Sequence, residues 1–303
     1  MDGLLALLFL FIIALLVWMA VLIYFAQKML KDLMALVVIA LALVTALAAY
    51  VFFIEPNEIA VNRLHIEGTG ADMKIVFMSD FQRNDADPAF IQRAVDLANS
   101  ENPDLVLLGG DYVELSDSEL PSVAPLRTLH ATYGVYGVMG NHDYGLMWAG
   151  RCPSSENLLL NGEIKNFLEA EGTVTILGNE NRRVGNATLI ALDDLWGCRR
   201  NESKALEGSG GATGAGSYRI LLSHNQDGLV IGNSTADLYL FGHTHCGQVR
   251  LPFLGSVPKM FGFRGEYDDG HYLVDGSDVY TTCGLSFGPR FLAPPEITVI
   301  ELD

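Results

Sequence analysis

Positive charge is what this chain has least of. Its 303 residues carry 19 Lys and Arg against 36 Asp and Glu, a formal net charge of −17. Nucleic acids and anionic lipid headgroups are held by clustered Lys and Arg, so no nucleic-acid partner is expected. CxxC pairs and Cys/His zinc spacings are absent, as is any repeat of solenoid period. The four cysteines, Cys152, Cys198, Cys246 and Cys283, permit two disulfides without demanding any. If their domain is exported, Cys152 and Cys198, in separate polar loops, are the pair to expect. Cys246 and Cys283 read as packing residues. No feature points to a protein partner.

Charge is missing altogether from two stretches. There is none between Asp2 and Lys28, or between Asp32 and Glu55, which leaves apolar runs of 25 and 22 residues. At about 1.5 Å of rise per residue, roughly 20 residues cross the ~30 Å hydrocarbon core of a bilayer. A cleaved signal peptide starts basic and has one short apolar run, whereas this terminus has Asp2 and a second run. The pattern predicts an N-terminal two-helix transmembrane hairpin over residues 1–54, with spans at 3–27 and 33–54, hence a multi-pass plasma-membrane protein. Lys28 and Lys31 occupy the short connection, and such loops tend to stay cytoplasmic. The rest of the chain is then expected outside the cytoplasm, with the cytoplasmic side as the alternative. Neither span carries an ionisable residue, which counts against a transporter or channel.

Residues 55–303 fit one α/β domain. Short apolar runs bounded by Gly, Asn or Asp predict strands at Lys74–Met78, Leu105–Leu108, Val135–Met139, Thr188–Leu192, Arg219–Leu222 and Leu238–Phe241, with two more at Val279–Thr282 and Ile297–Leu302. Helical patterns cover about Pro88–Ser100 and Gly162–Glu171. The Gly-rich composition around Glu207–Ser217 predicts a flexible loop over about 199–217.

The residues at the carboxyl ends of these strands are the informative ones. Met78 leads into Ser79-Asp80-Phe81-Gln82, Leu108 into Gly109-Gly110-Asp111, and Met139 into Gly140-Asn141-His142-Asp143. Leu222 leads into Ser223-His224-Asn225, and Phe241 into Gly242-His243-Thr244-His245. Open α/β sheets gather ligands beyond the carboxyl ends of their strands, so these side chains can meet on one rim. Of the seven histidines, four occupy such positions.

The ordered set Asp80, Gly110-Asp111, Gly140-Asn141-His142-Asp143, His224 and Gly242-His243-Thr244-His245 resembles the calcineurin-like metallophosphoesterase family, over roughly Ile59 to Leu302. The stretch from Gly242 to Pro252 and the closing Gly284–Ile297 segment are similar to its small membrane-associated bacterial branch, which includes UDP-diacylglucosamine pyrophosphatases and broad phosphodiesterases. The resemblance implies a four-layer α/β/β/α sandwich. It implies one divalent metal on Asp80, Gln82, Asp111 and His245, and a second on Asp111, Asn141, His224 and His243, with Asp111 bridging. A hydroxide between the metals would attack phosphorus. His142 would donate to the leaving group. Asp143 would orient that ring or cap the following helix.

The family usually has Asp-x-His where this chain has Asp80-Phe81-Gln82. An amide oxygen is a harder ligand than imidazole, so Mn²⁺ is the first expectation, with Fe, Zn²⁺ or Mg²⁺ as alternatives. Asn84, Asp85 or Asp87 can assist. Arg290 is a candidate phosphate clamp, with a structural ion pair as the competing role. The expected function is cleavage of a phosphodiester or pyrophosphate bond in a lipid-linked or nucleotide-linked substrate by a membrane-anchored enzyme. The alternative is a catalytically inactive membrane-tethered interaction protein of the same fold.

Overall fold

A computed structural model describes residues 2–83, 88–147, 151–208, 217–232, 235–260 and 266–303. The chain divides into two compact units, Met1–Tyr50 and Val51–Asp303.

The first unit is one uninterrupted helix, α1 (Asp2–Ala49), in place of the expected hairpin. Physical reasons lie in the connection. Gln27-Lys28-Met29-Leu30-Lys31-Asp32 contains neither Gly nor Pro, and all but Asp32 are good helix formers, so nothing local turns the chain. At 1.5 Å per residue, 48 residues make a helix about 72 Å long, more than twice the thickness of a bilayer core. Among the described residues, Phe11–Asn57 contains the one helix long and apolar enough to cross a membrane. A π-helical turn, Tyr50–Ile54, leads into the second unit.

That unit holds two six-stranded mixed sheets. The first is built from β1 (Ala60–Ile66), β2 (Met73–Met78), β3 (Leu105–Leu108), β4 (Val135–Gly137), β5 (Val174–Ile176) and β14 (Glu296–Leu302), in the order β1-β14-β2-β3-β4-β5. The second takes β6 (Glu180–Val184), β7 (Ala187–Ala191), β8 (Tyr218–Leu222), β9 (Leu238–Phe241), β12 (Gly270–Val274) and β13 (Ser277–Thr281), in the order β12-β13-β9-β8-β7-β6. A two-stranded ribbon, β10 (Arg250–Leu251) and β11 (Gly255–Ser256), stands apart from both. The strands expected from apolar runs lie within two residues of their predicted ends. Besides the ribbon, those not expected, β1, β5, β6 and β12, are edge strands of the two sheets, and their sequences include polar residues such as Asn62, Arg63 and Arg183 that break the apolar run.

Alternation along the central strands sorts side chains into layers. In β3, Val106 and Leu108 join Phe90, Ile91, Ala94 and Val95 of α2 (Ala89–Ser100), with Ile164 and Leu168 of α4 (Ser155–Glu169), in one core. Leu105 and Leu107 point the other way, into a core shared with Leu189, Ile220, Leu222, Leu238 and Leu240 of the second sheet. The far face of that sheet buries Ile190, Leu221, Tyr239 and Phe241 with Ala205 of α5 (Glu202–Leu206). The short α3 (Leu120–Val123) adds Val123 to the first core.

Part of the segment expected to be flexible is therefore ordered. In α5, Asn201 caps the first turn by accepting from Lys204 N, and Ala205 is buried. Residues 209–216 of that segment lie outside the described residues.

Candidate metal centre

Strands β2, β3 and β4 run parallel, as do β7, β8, β9 and β13, so each group ends along one edge. The residues beyond them turn over that edge. Asp80 (φ 57°), Asp111 (56°), His243 (69°) and His245 (49°) are all in the left-handed region. Space there is tight. A Cβ on Gly242 would lie 2.6 Å from Asp80 Oδ2, and one on Gly284, at φ +66°, equally close to the same oxygen. On Gly140 it would lie 2.7 Å from the Asp111 backbone nitrogen.

The turns bring two donor sets together. Ligand atoms of Asp80, Asp111 and His245 lie within 4.8 Å of one another, as do those of Asp111, His224 and His243. Asp111 belongs to both. His245 Nε2 is 3.2 Å from Asp80 Oδ1, His224 Nε2 is 3.1 Å from Asp111 Oδ2, and His243 Nδ1 is 3.3 Å from His224 Nε2. The Gln82 amide enters the first set, its Nε2 3.3 Å from both Asp111 Oδ2 and His245 Nε2. Turning that amide over puts Oε1 in the same place. Asn141 is fixed by donating from Nδ2 to Leu146 O at 2.7 Å.

Two features say that the residues fit divalent cations. Asn141 Oδ1 is buried with no hydrogen-bond partner, a state that costs about 1–3 kcal/mol unless something accepts the lone pair. The electrostatics agree. Burial opposes charge on the His224 ring, yet the charge and hydrogen bond of Asp111, with Asp80 and Asp194 nearby, raise it to about 10. Burial and the His224 charge together push His243 down to about 3. Burial also opposes ionisation of Asp111, but His224 and His142 hold its carboxyl below the usual carboxylate range. The carboxylates thus draw a proton to His224 where a cation can take its place.

The remaining expected residues fall into different positions. The His142 ring donates from Nδ1 to the Glu114 carbonyl at 2.8 Å, which turns Nε2 away from that bond, and the His142 N–H donates to Asp111 Oδ1. Asp143 is not the ring's partner. Its buried carboxylate accepts from the backbone N–H groups of Asp111, Tyr112 and Gly140 at 2.7–2.9 Å, tying the β3 loop to the β4 loop. Burial and then Asp111 push it up to about 7, against those donors. Neither expected role, orienting His142 or capping the following helix, describes it.

Arg290 is corrected too. It is fully buried, and its fork donates to the carbonyls of His245, Cys283, Ala293 and Ser286 and to Ser286 Oγ. Its two terminal nitrogens are spent on these five internal acceptors and Nε is buried without a partner, so the enclosed group has no side open to a phosphate. Both cysteine pairs are bonded, Cys152–Cys198 and Cys246–Cys283, so the second pair does more than pack. Asn84, Asp85 and Asp87 lie outside the described residues.

The sequence held further site residues. Ser286 Oγ is 3.1 Å from His245 Nδ1, and the Trp196 ring meets the His243 ring edge-on at 4.5 Å. Trp196 comes after Leu192-Asp193-Asp194-Leu195 at the end of β7, so the strand-end rule applied once more finds this loop. Its carboxylates brace: Asp193 accepts from Tyr144 Oη at 2.6 Å, and Asp194 from Gly197 N and Asn225 Nδ2. Ser286 carries no signal of its own.

Known proteins point the same way. Residues 73–247 match the calcineurin-like phosphoesterase family. Phosphodiesterase YaeI of Escherichia coli is 31% identical over 265 residues, covering 84% of this chain and 92% of that protein. UDP-2,3-diacylglucosamine pyrophosphatase LpxG of Chlamydia trachomatis is 25% identical, covering 87% and 97%. The uncharacterized metallophosphoesterase Cj0846 of Campylobacter jejuni is 29% identical over 76% of this chain, which spans only 59% of the longer protein. The matched segment runs from β2 through His245 and so takes in both donor sets with their shared aspartate, and on that match the chain belongs to the calcineurin-like phosphoesterases, a family of hydrolases.

Proposed function

We propose that this chain is a membrane-anchored, metal-dependent phosphohydrolase that cleaves a phosphodiester or pyrophosphate bond, with a lipid-linked substrate favoured over a soluble nucleotide. The observation that carries this reading is the pair of donor sets sharing Asp111. Asp80, Gln82, Asp111 and His245 would hold one divalent ion, and Asp111, Asn141, His224 and His243 the other, on a four-layer α/β/β/α frame. Such ions, when bound, supply the Lewis acidity that activates water and offsets charge on a leaving oxygen. Mn²⁺ suits the oxygen-rich first set, which has Gln82 where an imidazole is usual.

The chain's own residues have separate tasks. Asp143 fixes the two loops that present Asp111 and Asn141. Glu114 holds the His142 ring by Nδ1, so Nε2 is the atom that turns to the leaving group. A neutral ring with its proton on Nδ1 has no proton on Nε2; donation there requires the imidazolium. Burial lowers the ring's affinity for a second proton, but Asp111 and Glu114 outweigh burial and raise it.

The lipid reading is supported by the apolar helix α1, joined to this unit through Val51, and by the diacylglucosamine substrate for which LpxG is named. The test is hydrolysis of bis-p-nitrophenyl phosphate with Mn²⁺. His142→Ala is expected to lower turnover about 10²–10⁴-fold with metal content unchanged, and Asn141→Ala to lower turnover and metal content together. Full activity in both variants would refute the assignment.

A further inference from the structure

Among the described residues of the second unit, the exposed phenylalanines are not scattered. All four of its exposed phenylalanines among the described residues, Phe52, Phe53, Phe253 and Phe287, belong to three short segments, with Ile54, Leu254 and Leu292 exposed beside them. The backbone stitches these segments together. Arg290 N donates to Val51 O, Arg250 N donates to Phe291 O, and Phe291 N donates to Gln248 O. Phe253 and Leu254 form the tip of the β10–β11 ribbon. At about 3.3 Å per residue, Phe253 lies within ~10 Å of Arg250, and hence close to the Phe291 strip.

The same strip borders the metal centre. Phe287 N donates to the Gln82 carbonyl at 3.1 Å, and Gln248 Nε2 lies 3.5 Å from His245 Nδ1. One edge of the patch is thus the mouth of the site. The other is Phe52–Ile54, which continues covalently into α1.

Resting on the reading of α1 as an anchor, we infer that Phe253, Leu254, Phe287 and Leu292 form a second, shallow contact with the bilayer beside the anchor's exit. A contiguous exposed apolar patch, when large, marks a protein or membrane contact. Continuity with Phe52–Ile54 names the cover. Where the apolar run 33–54 is the part that crosses the bilayer, Phe52–Ile54 stand at its interface, and the ribbon tip joined to them meets the same layer, where apolar side chains bury against the headgroup boundary. The acidic chain makes this an apolar contact, so it needs no anionic lipid. A phosphate at the headgroup level would then reach the site without its lipid leaving the membrane.

The test uses the full chain reconstituted in phosphatidylcholine vesicles, with p-benzoyl-phenylalanine replacing Phe253, Leu292 or, as a control, Leu273, which is also exposed, on β12. After illumination, peptides carrying positions 253 and 292 are expected to gain the mass of one phospholipid, and the peptide carrying 273 to gain none. Phe253→Asp with Leu254→Asp should lower turnover of a vesicle-borne phosphodiester several-fold and leave a water-soluble ester untouched. Equal labelling at all three positions, or adducts with protein in place of lipid, overturns the contact if the chain stays in the carbonate-washed pellet. Release of the chain by carbonate overturns the anchor reading itself.

Discussion

Removing the Cys246–Cys283 disulfide tests how the metal centre is held. The bridge joins residues 37 apart, and in the chain-entropy picture closing a loop of that length stabilises the folded state by about 4 kcal/mol at 25 °C. For a unit of this size, 1 kcal/mol shifts the melting temperature by about 2–4 °C, so replacing both cysteines with serine should lower it by roughly 8–16 °C. The bridge also acts locally. Cys246 comes directly after His245, and His243, His245, Cys246 and Gln248 all have positive φ, from 49° to 69°. Cys283 contributes a carbonyl to the Arg290 fork that also holds the His245 carbonyl. Losing the bridge lets that segment relax, so Mn²⁺ titration calorimetry of the surviving folded protein should show weakened binding in the set containing His245. The matched control, serine at Cys152 and Cys198, opens a loop of similar length, between residues 46 apart, and should show a comparable fall in melting temperature with both metals retained. Four titratable thiols in protein purified without reductant, or an unchanged melting temperature in the Cys246–Cys283 variant, would refute the reasoning.

Other perturbations separate the parts of the site. Gly242→Ala puts a methyl group against Asp80 Oδ2, so metal content should fall in the Asp80 set while far-UV circular dichroism stays unchanged. Arg290→Met leaves four carbonyls without their donor, and denaturant unfolding should show a loss of about 3 kcal/mol; Arg290→Lys, with no fork, should recover only part of it. Asp143→Asn turns an amide N–H toward backbone donors and should cost about 2–3 kcal/mol in unfolding, with protection of the Asp111 and Tyr112 amides falling in hydrogen exchange.

The centre is legible in the sequence because its residues are local events at strand ends. An apolar run that ends in Gly and a polar side chain is visible one segment at a time, and the parallel topology does the rest. Asp80, Asp111, His224, His243 and His245 come together because β2, β3, β8 and β9 end along the same edge. The role of Arg290 is hidden because its partners are backbone carbonyls, which no sequence displays. That of Asp143 is hidden for the same reason, since its oxygens serve N–H groups of two loops. The hairpin expectation fails on a different point. Lys28, Lys31 and Asp32 interrupt hydropathy without interrupting helix propensity, and a charge alone does not turn a chain. Cys246 and Cys283 pair through the convergence of β9 and β13, neighbours in the second sheet but distant in sequence.

The same convergence explains the choice of residue types. A left-handed L-residue costs roughly 1–2 kcal/mol, so Asp80, Asp111, His243 and His245 together concentrate about 4–8 kcal/mol of backbone strain on one edge. That is comparable to the whole net stability of a typical domain, about 5–15 kcal/mol. Asp and His are among the residues that accept this conformation most readily, and they are also ligands for divalent ions. A single choice therefore satisfies the turn and the chemistry. The strain persists because the strands behind it have no freedom to yield: β2, β3, β8 and β9 are buried on both faces over the residues that lead into the turns. Gly110, Gly140, Gly242 and Gly284 then leave the space into which the ligands turn, since a Cβ at any of them would strike the backbone or carboxylate of a neighbour. A cation bound between the carboxylates rewards that arrangement only in the folded state, so metal binding and the strained edge stabilise each other.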